Sequence, residues 1–291
     1  MKRDTSTAVG KNRWAVGGIA LGLFLGVLMH APARWVSEAV ALATHQRVLL
    51  LNPQGTVWQG SADAALSDGQ TSLDSANFSP NAPRNTRGLP ANAPPSVLTT
   101  RLHWQLGLHW DVARWAPGLQ LALSSACCTT QPWRVVASPS WQGLQVQSQD
   151  HGSQWPAAWL VGLGAPWNTL QPDGQIKLRT QQLHWLQPWS VTQAPRLSGE
   201  LELQWHDMST RLSTLRPLGS YRVVVSGGDT MQLRLSTLEG SLQLQGSGEW
   251  LQGRLRFRGE ASAHPDAQAA VSNLLNVLGQ RRGPVSLMEI G

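Results

Sequence analysis

Between Ser198 and Glu260 the chain repeats one phrase: a glycine, any residue, then alternating apolar and polar residues. Gly199-Glu-Leu-Glu-Leu-Gln-Trp, Gly240-Ser-Leu-Gln-Leu-Gln-Gly and Gly253-Arg-Leu-Arg-Phe-Arg-Gly are copies, and Gly174-Gln-Ile-Lys-Leu-Arg is an earlier one. A period of two sends successive side chains to opposite faces, so each copy reads as a strand with one wet and one dry face. The glycines and the polar residues near them supply turns. The expected product is a long antiparallel meander with a continuous apolar face, and what covers that face becomes the question about function.

The clearest alternation lies upstream. Leu102, Trp104, Leu106, Leu108, Trp110 and Val112 share one face of a strand, and His103, Gln105, Gly107, His109 and Asp111 the other. Ala116-Pro-Gly118 reads as a turn, after which Leu119, Leu121 and Leu123 alternate again and Trp141 to Val146 continues the meander. Val48 to Leu51 reads as a buried strand, Asn52-Pro-Gln-Gly55 as its turn and Thr56 to Gly60 as the strand that pairs back. Val161 to Asn168 reads as a Gly/Pro bend separating two segments of sheet. Asp68 to Ser96 carries Pro80, Pro83, Pro90, Pro94 and Pro95 among Asn, Ser and Gly. Such a stretch buries too little to offset its ordering entropy, so 68–96 reads as a flexible Pro-rich insertion.

Helical signals are confined to three places. Pro265 to Leu278 has Pro265 at a first helical position and Asp266 against the positive end of the dipole. Its stripe is Ala267, Ala270, Val271, Leu274, Leu275 and Leu278, with Gly279 where a C-cap is wanted. This helix is expected across part of the dry face, with Val285 to Ile290 returning as an edge strand. Ser37 to Thr44 reads as an amphipathic helix with Val36, Ala39, Val40 and Ala43 along one side.

The third is Trp14 to Met29, sixteen residues without a charge. At 1.5 Å per residue it spans roughly 24 Å, and His30, Ala31 and Ala33 extend it towards a hydrocarbon core of about 30 Å. Trp14 and Trp35 would mark the two membrane interfaces, with Arg34 snorkelling outward. Lys2, Arg3, Lys11 and Arg13 precede the segment, which places the N-terminus in the cytoplasm. Ala31-Pro-Ala33 resembles a cleavage site, but the apolar run exceeds the usual 7–15 residues of a signal peptide. The expected division is a cytoplasmic tail at 1–13, a transmembrane anchor at 14–33 and an exported β-rich domain at 34–291. The fold class is mainly β: an N-terminal transmembrane helix, then a curved antiparallel β-meander or sandwich-like domain with one C-terminal α-helix packed on it.

Charge and chemistry narrow the function by exclusion. The net charge is +6, but the four basic residues and one acidic residue of the first 13 supply half of it, leaving 19 basic against 16 acidic. Those arginines are scattered along strands, without a nucleic-acid motif, so no nucleic-acid partner is expected. No G-x-S-x-G, H-E-x-x-H or P-loop occurs, and Gly162-Leu-Gly164 lacks the third glycine of a dinucleotide site. His103 and His109 are about 20 Å apart on a strand and cannot share one ion, and His109 with Asp111 reads as an ordinary wet face. We expect no catalytic, cofactor or metal site, and no enzyme. Cys127 and Cys128 are adjacent. They read as two partly buried thiols, with a strained vicinal disulfide as the other reading.

The residues also carry a family resemblance. Pro-Ala-Arg-Trp-Val at 32–36 is followed by Gly-Thr-Val-Trp-Gln-Gly-Ser-Ala at 55–62, Leu-His-Trp-Gln-Leu at 102–106 and Pro-Trp-Asn at 166–168. Ser209-Thr-Arg-Leu-Ser213, Leu218-Gly-Ser-Tyr-Arg222, Thr237 to Gly248, Phe257 to Ala261 and Asn273 to Gly283 complete it. Together they resemble type II secretion system protein N. The resemblance implies an inner-membrane accessory component with a periplasmic domain and no enzymatic activity. Its partners would be inner-membrane platform proteins and the secretin, contacted through Thr56, Trp58, Gln59, Tyr221 and Arg222. The other reading of the dry face is an open groove that binds a lipid or another hydrophobic ligand.

Overall fold

The alternation resolves into one antiparallel sheet. The computed structural model describes residues 16–19, 22–23, 26–69, 95–111, 116–190, 193–251 and 253–291. Its strands are β1 (Val48–Gly55), β2 (Gln59–Leu66), β3 (Ser96–Val97), β4 (Leu102–Asp111), β5 (Ala116–Ser125), β6 (Trp133–Pro139), β7 (Gly143–Ser148) and β8 (His151–Pro156). They continue as β9 (Asp173–Pro188), β10 (Arg196–Ser209), β11 (Gly219–Ser226), β12 (Gln232–Gly240), β13 (Leu242–Leu251), β14 (Arg254–Ala263), β15 (Gln280–Arg282) and β16 (Val285–Ile290). The helices are α1 (Arg34–Ala43), α2 (Trp167–Leu170) and α3 (Gln268–Leu278).

The order across the 16-stranded sheet is β1-β2-β4-β5-β6-β7-β9-β10-β11-β12-β13-β14-β16-β15, with β3 beside β2 and β8 beside β9. Sequence neighbours are sheet neighbours almost throughout, so turns fall alternately at two ends. Those after β4, β6, β9, β11 and β13 share one end, called lower here, as the registers Gly143↔Pro188 and Arg196↔Leu186 require. The second sheet of a sandwich is absent among the described residues. Helices supply the cover instead.

Two apolar clusters sit on the dry face. In one, Val271, Leu274 and Leu275 of α3 pack on Trp205, Tyr221, Leu242 and Ala261 near the upper ends of β10 to β14. Tyr221 follows Trp205 in register, which aligns these side chains in one row. In the other, Val36 and Val40 of α1 pack on Leu50, Ala62 and Trp104. Trp155 of β8 packs against both clusters. A 3-10 turn at Ala157–Leu163 follows it and is tied down by Ser96 Oγ donating to the Trp159 carbonyl.

Several expectations shift. Asn52 to Gly55 is strand rather than turn, and the turn falls at 56–58. Pro53 is tolerated because β1 is a terminal strand and its register slips between Leu51 and Gln54. Ala116 to Gly118 is likewise strand, with Pro117 opposite Trp110. The β5–β6 pairing begins only at Leu119, so no partner on that side needs the missing N–H of Pro117. Pro265 to Ala267 forms a 3-10 turn before α3. Gly279 is extended rather than left-handed; its backbone lies so close to the Leu287 carbonyl that a Cβ would collide. Gly240 and Gly253 do turn the chain, whereas Gly199 sits at a register shift inside β10, where φ is +88°. In α1, Ala39 and Ala43 are exposed, and the packed side is Ala33, Val36 and Val40. The edge beyond β16 is partly taken by β15.

Residues 1–13 lie outside the described residues, as do 70–94 of the expected insertion. The expected anchor falls partly on such residues, and its described stretches 16–19, 22–23 and 26–29 are helical. No helix among the described residues is long and apolar enough to cross a membrane.

Candidate functional site

The β1–β2 turn holds three of the expected contact residues, Thr56, Trp58 and Gln59. Thr56 closes it: its N–H donates to the Gln59 carbonyl at 2.8 Å, and the Gln59 N–H donates to Thr56 Oγ1 at 3.2 Å. The segment preceding α1 lies against this turn. Pro32 bridges Thr56, the Val57 N–H donates to the Ala31 carbonyl at 2.8 Å and the Ala33 N–H donates to the Gly55 carbonyl at 3.1 Å. Trp58 fixes the far side, its indole N–H donating to the Leu28 carbonyl at 2.8 Å. Trp104 reaches the same turn from β4 and donates to the Val57 carbonyl at 3.1 Å.

Thr56 and Trp58 therefore contact the chain's own segment 28–33, and Gln59 is the exposed residue of the turn. Sequence reasoning singled out the turn but not the strip that occupies it; the signal was the Ala31-Pro-Ala33 stretch, whose proline and small residues suit a close extended approach. Of the expected interface residues, Arg34 and Trp35 open α1 and are exposed, while Trp14 lies outside the described residues.

Tyr221 and Arg222 are separated by the pleat. Tyr221 is 4% exposed, its hydroxyl donates to the Leu242 carbonyl at 3.1 Å, and burial pushes its phenol above the ordinary tyrosine range. Arg222 points to the wet face and pairs with Glu202 at 2.7 Å. There it joins a trough of about 960 Å³ that also takes in Arg234, Arg256, Arg258, Glu249 and Glu289. Cross-strand register places Arg234 beside Ser247, Glu249 beside Arg256 and Arg258 beside Glu289, so the wet face alternates in sign rather than presenting one charge.

Cys127 and Cys128 are joined to each other, so the pair is a vicinal disulfide rather than two thiols. Their turn is held to β8 by the Thr129–Ser153 bridge and by the Gln154 N–H donating to the Cys128 carbonyl at 2.8 Å. His151, at the start of β8, stacks on Trp133 with ring centroids 5.6 Å apart, and burial pushes its imidazole below the usual histidine range. Among the described residues, no group of three His, Cys, Asp or Glu is placed to hold a metal ion.

Residues 46–287 match the family model described as Type II secretion system (T2SS), protein N. No curated protein matches the chain, and no solved structure does.

Proposed function

Because this chain belongs to the type II secretion system protein N family, we propose that it serves as a non-enzymatic accessory component of that machine. In this reading a single-pass anchor at 14–33 holds it in the inner membrane. The sheet stands in the periplasm and makes protein–protein contacts with inner-membrane platform proteins and the secretin during export of folded proteins. The apolar side chains of the anchor support the placement: Val16, Ile19, Leu23, Val27 and Met29 are all exposed, without cover from the sheet.

The observation that carries the contact reading is the pair of lateral edges left open among the described residues, apart from the end of β1 that segment 31–33 occupies. β1 ends the sheet on one side, and on the other β15 pairs only as far as Leu287, leaving Met288 to Ile290 bonded to β14 alone. Such edges accept a partner strand by main-chain hydrogen bonds. Photo-crosslinking residues at Gln59 and Glu289, in cells expressing the protein at native level, test it. Recovery of secretion-system proteins is expected, and recovery of none at either position refutes it.

A second reading rests on the uncovered dry face. Leu201, Val225 and Leu233 lie below α3 and are only half-buried, which suits an acyl chain laid across the strands. Mass spectrometry of the purified protein distinguishes the two: a stoichiometric bound lipid favours the groove, and none favours the scaffold.

A further inference from the structure

Strand β4 goes on placing apolar residues on its dry face after the chain's own cover has ended. Trp104 is 3% exposed, whereas Leu108 is 83% and Trp110 55% exposed on the same face. From Trp104 to Leu108 takes roughly 13 Å at about 3.3 Å per residue. Leu119, opposite Leu108 in register, is exposed too. The neighbouring lower turns repeat the pattern: Trp141, after β6, is 90% exposed and Trp189, after β9, is 61% exposed. Adjacent hairpins of a sheet are about 10 Å apart, so these turns make one rim rather than scattered singles. At the upper end the tryptophans of the β8–β9 connection, Trp159 and Trp167, are instead partly buried against the apolar clusters.

The rim is also prepared for an apolar neighbour. The Trp189 indole N–H donates to the Ser140 carbonyl at 2.7 Å, in the turn that holds Trp141. Its polar edge is thus satisfied inside the protein, and the exposed ring loses no hydrogen bond on leaving water. The Trp141 turn is closed by Ser140, whose N–H and Oγ donate to the Gly143 carbonyl at 2.8 and 2.9 Å. The apolar N-terminal segment arrives from the same side: residues 28–33 lie at the β1–β2 turn, and α1 leads from there along β1 towards its upper end.

We propose that Leu108, Trp110, Leu119, Trp141 and Trp189 form a rim that rests in the interfacial layer of a phospholipid bilayer, fixing the sheet with its lower end against the membrane. Tryptophan favours that layer because its ring is apolar and its edge polar. The inference rests on the membrane anchoring proposed above, and the test separates the two. Full-length protein is reconstituted into vesicles of brominated phosphatidylcholine, whose bromine quenches tryptophan only at close range. Wild type is compared with W141S/W189S, with W141S alone, and with W133F as an upper-end control. Trp141 projects into solvent, so W141S leaves the fold intact.

Quenchable emission is expected to fall in W141S and further in the double variant, and to stay unchanged in W133F. Quenchable emission equal to wild type in both serine variants overturns the rim. So does a concentration-dependent dimer that shields these tryptophans from acrylamide without quenching by bromine, because a second copy would then be the occupant. An alkaline wash reads the anchor separately. Protein that stays in the vesicles with Trp141 and Trp189 unquenched refutes the rim alone, whereas quenched protein that washes off refutes the anchor alone.

Discussion

The upper and lower ends of the sheet are written in the same alternation but meet different surroundings. At the upper end Leu242 and Ala261 lie under Leu274 and Leu275 of α3, and Ser286 Oγ donates to the Leu275 carbonyl at 2.7 Å. At the lower end the neighbouring strands β12 and β16 run on to half-buried Leu233 and exposed Ile290, and β4 runs on to exposed Leu108 and Trp110. Alternation specifies a strand with a dry face; it does not specify what dries it. The cover comes from helices outside the strands' own alternation, and they reach only one end.

The largest test of that contrast is Trp104→Ala. It removes a buried indole that also holds the β1–β2 turn, and about 4 kcal/mol of stability should be lost. The measurement is urea unfolding of the full chain in a mild detergent. A loss below about 1 kcal/mol would mean that the cover over β4 is loose and the two ends differ little. Leu275→Ala should cost about 3 kcal/mol in the same assay, because a fully buried leucine of α3 leaves a cavity over Leu242.

Tyr221→Phe is milder and sharpens the upper end by pH. The lost hydrogen bond to the Leu242 carbonyl should cost about 1 kcal/mol near neutrality. The folded phenol ionises only above the unfolded value of about 10. The contribution of this group is therefore complete below that pH and declines as pH rises past it. Tyr221 is the chain's one tyrosine, so phenolate absorbance follows it without overlap. Wild type should lose stability above pH about 10, with phenolate absorbance appearing there only as the chain unfolds, and the phenylalanine variant should lack this part of the decline.

How far the sequence made this legible depends on distance along the chain. β4 was readable because alternation over adjacent residues is local. The two misplaced turns, 52–55 and 116–118, were composed of turn residues, yet Pro53 lies on a terminal strand and Pro117 beyond the reach of β6. Whether a proline breaks a strand depends on which neighbour needs its N–H, and that is known only once the strands are paired. Gly279 was readable as a special position but for the wrong reason, since the Leu287 carbonyl that forbids a side chain comes from the returning strand. The docking of 28–33 on Trp58 depends on residues about thirty positions apart, and the common level of Trp110, Trp141 and Trp189 on the registers of four strand pairings. The chain's 15 tryptophans were evident from composition, but which of them, Trp110, Trp141 and Trp189, stay exposed at the lower end was not.

The smallest expected effect is the most discriminating. Leu108 shares a strand and a face with Trp104, and Leu108→Ala should change unfolding stability by less than about 0.5 kcal/mol in detergent. At 83% exposure its side chain meets solvent or detergent in both the folded and the unfolded chain, so folding transfers almost none of it. The unfolding midpoint should therefore stay with wild type while that of Trp104→Ala moves far. If Leu108→Ala instead costs above 2 kcal/mol, something covers the lower end: residues of this chain outside those described, or a second copy. Dilution separates these, since a second copy makes the loss depend on protein concentration and an intramolecular cover does not. Either result would remove the contrast between the ends, and with it the reason for the sheet to turn its lower rim towards a membrane.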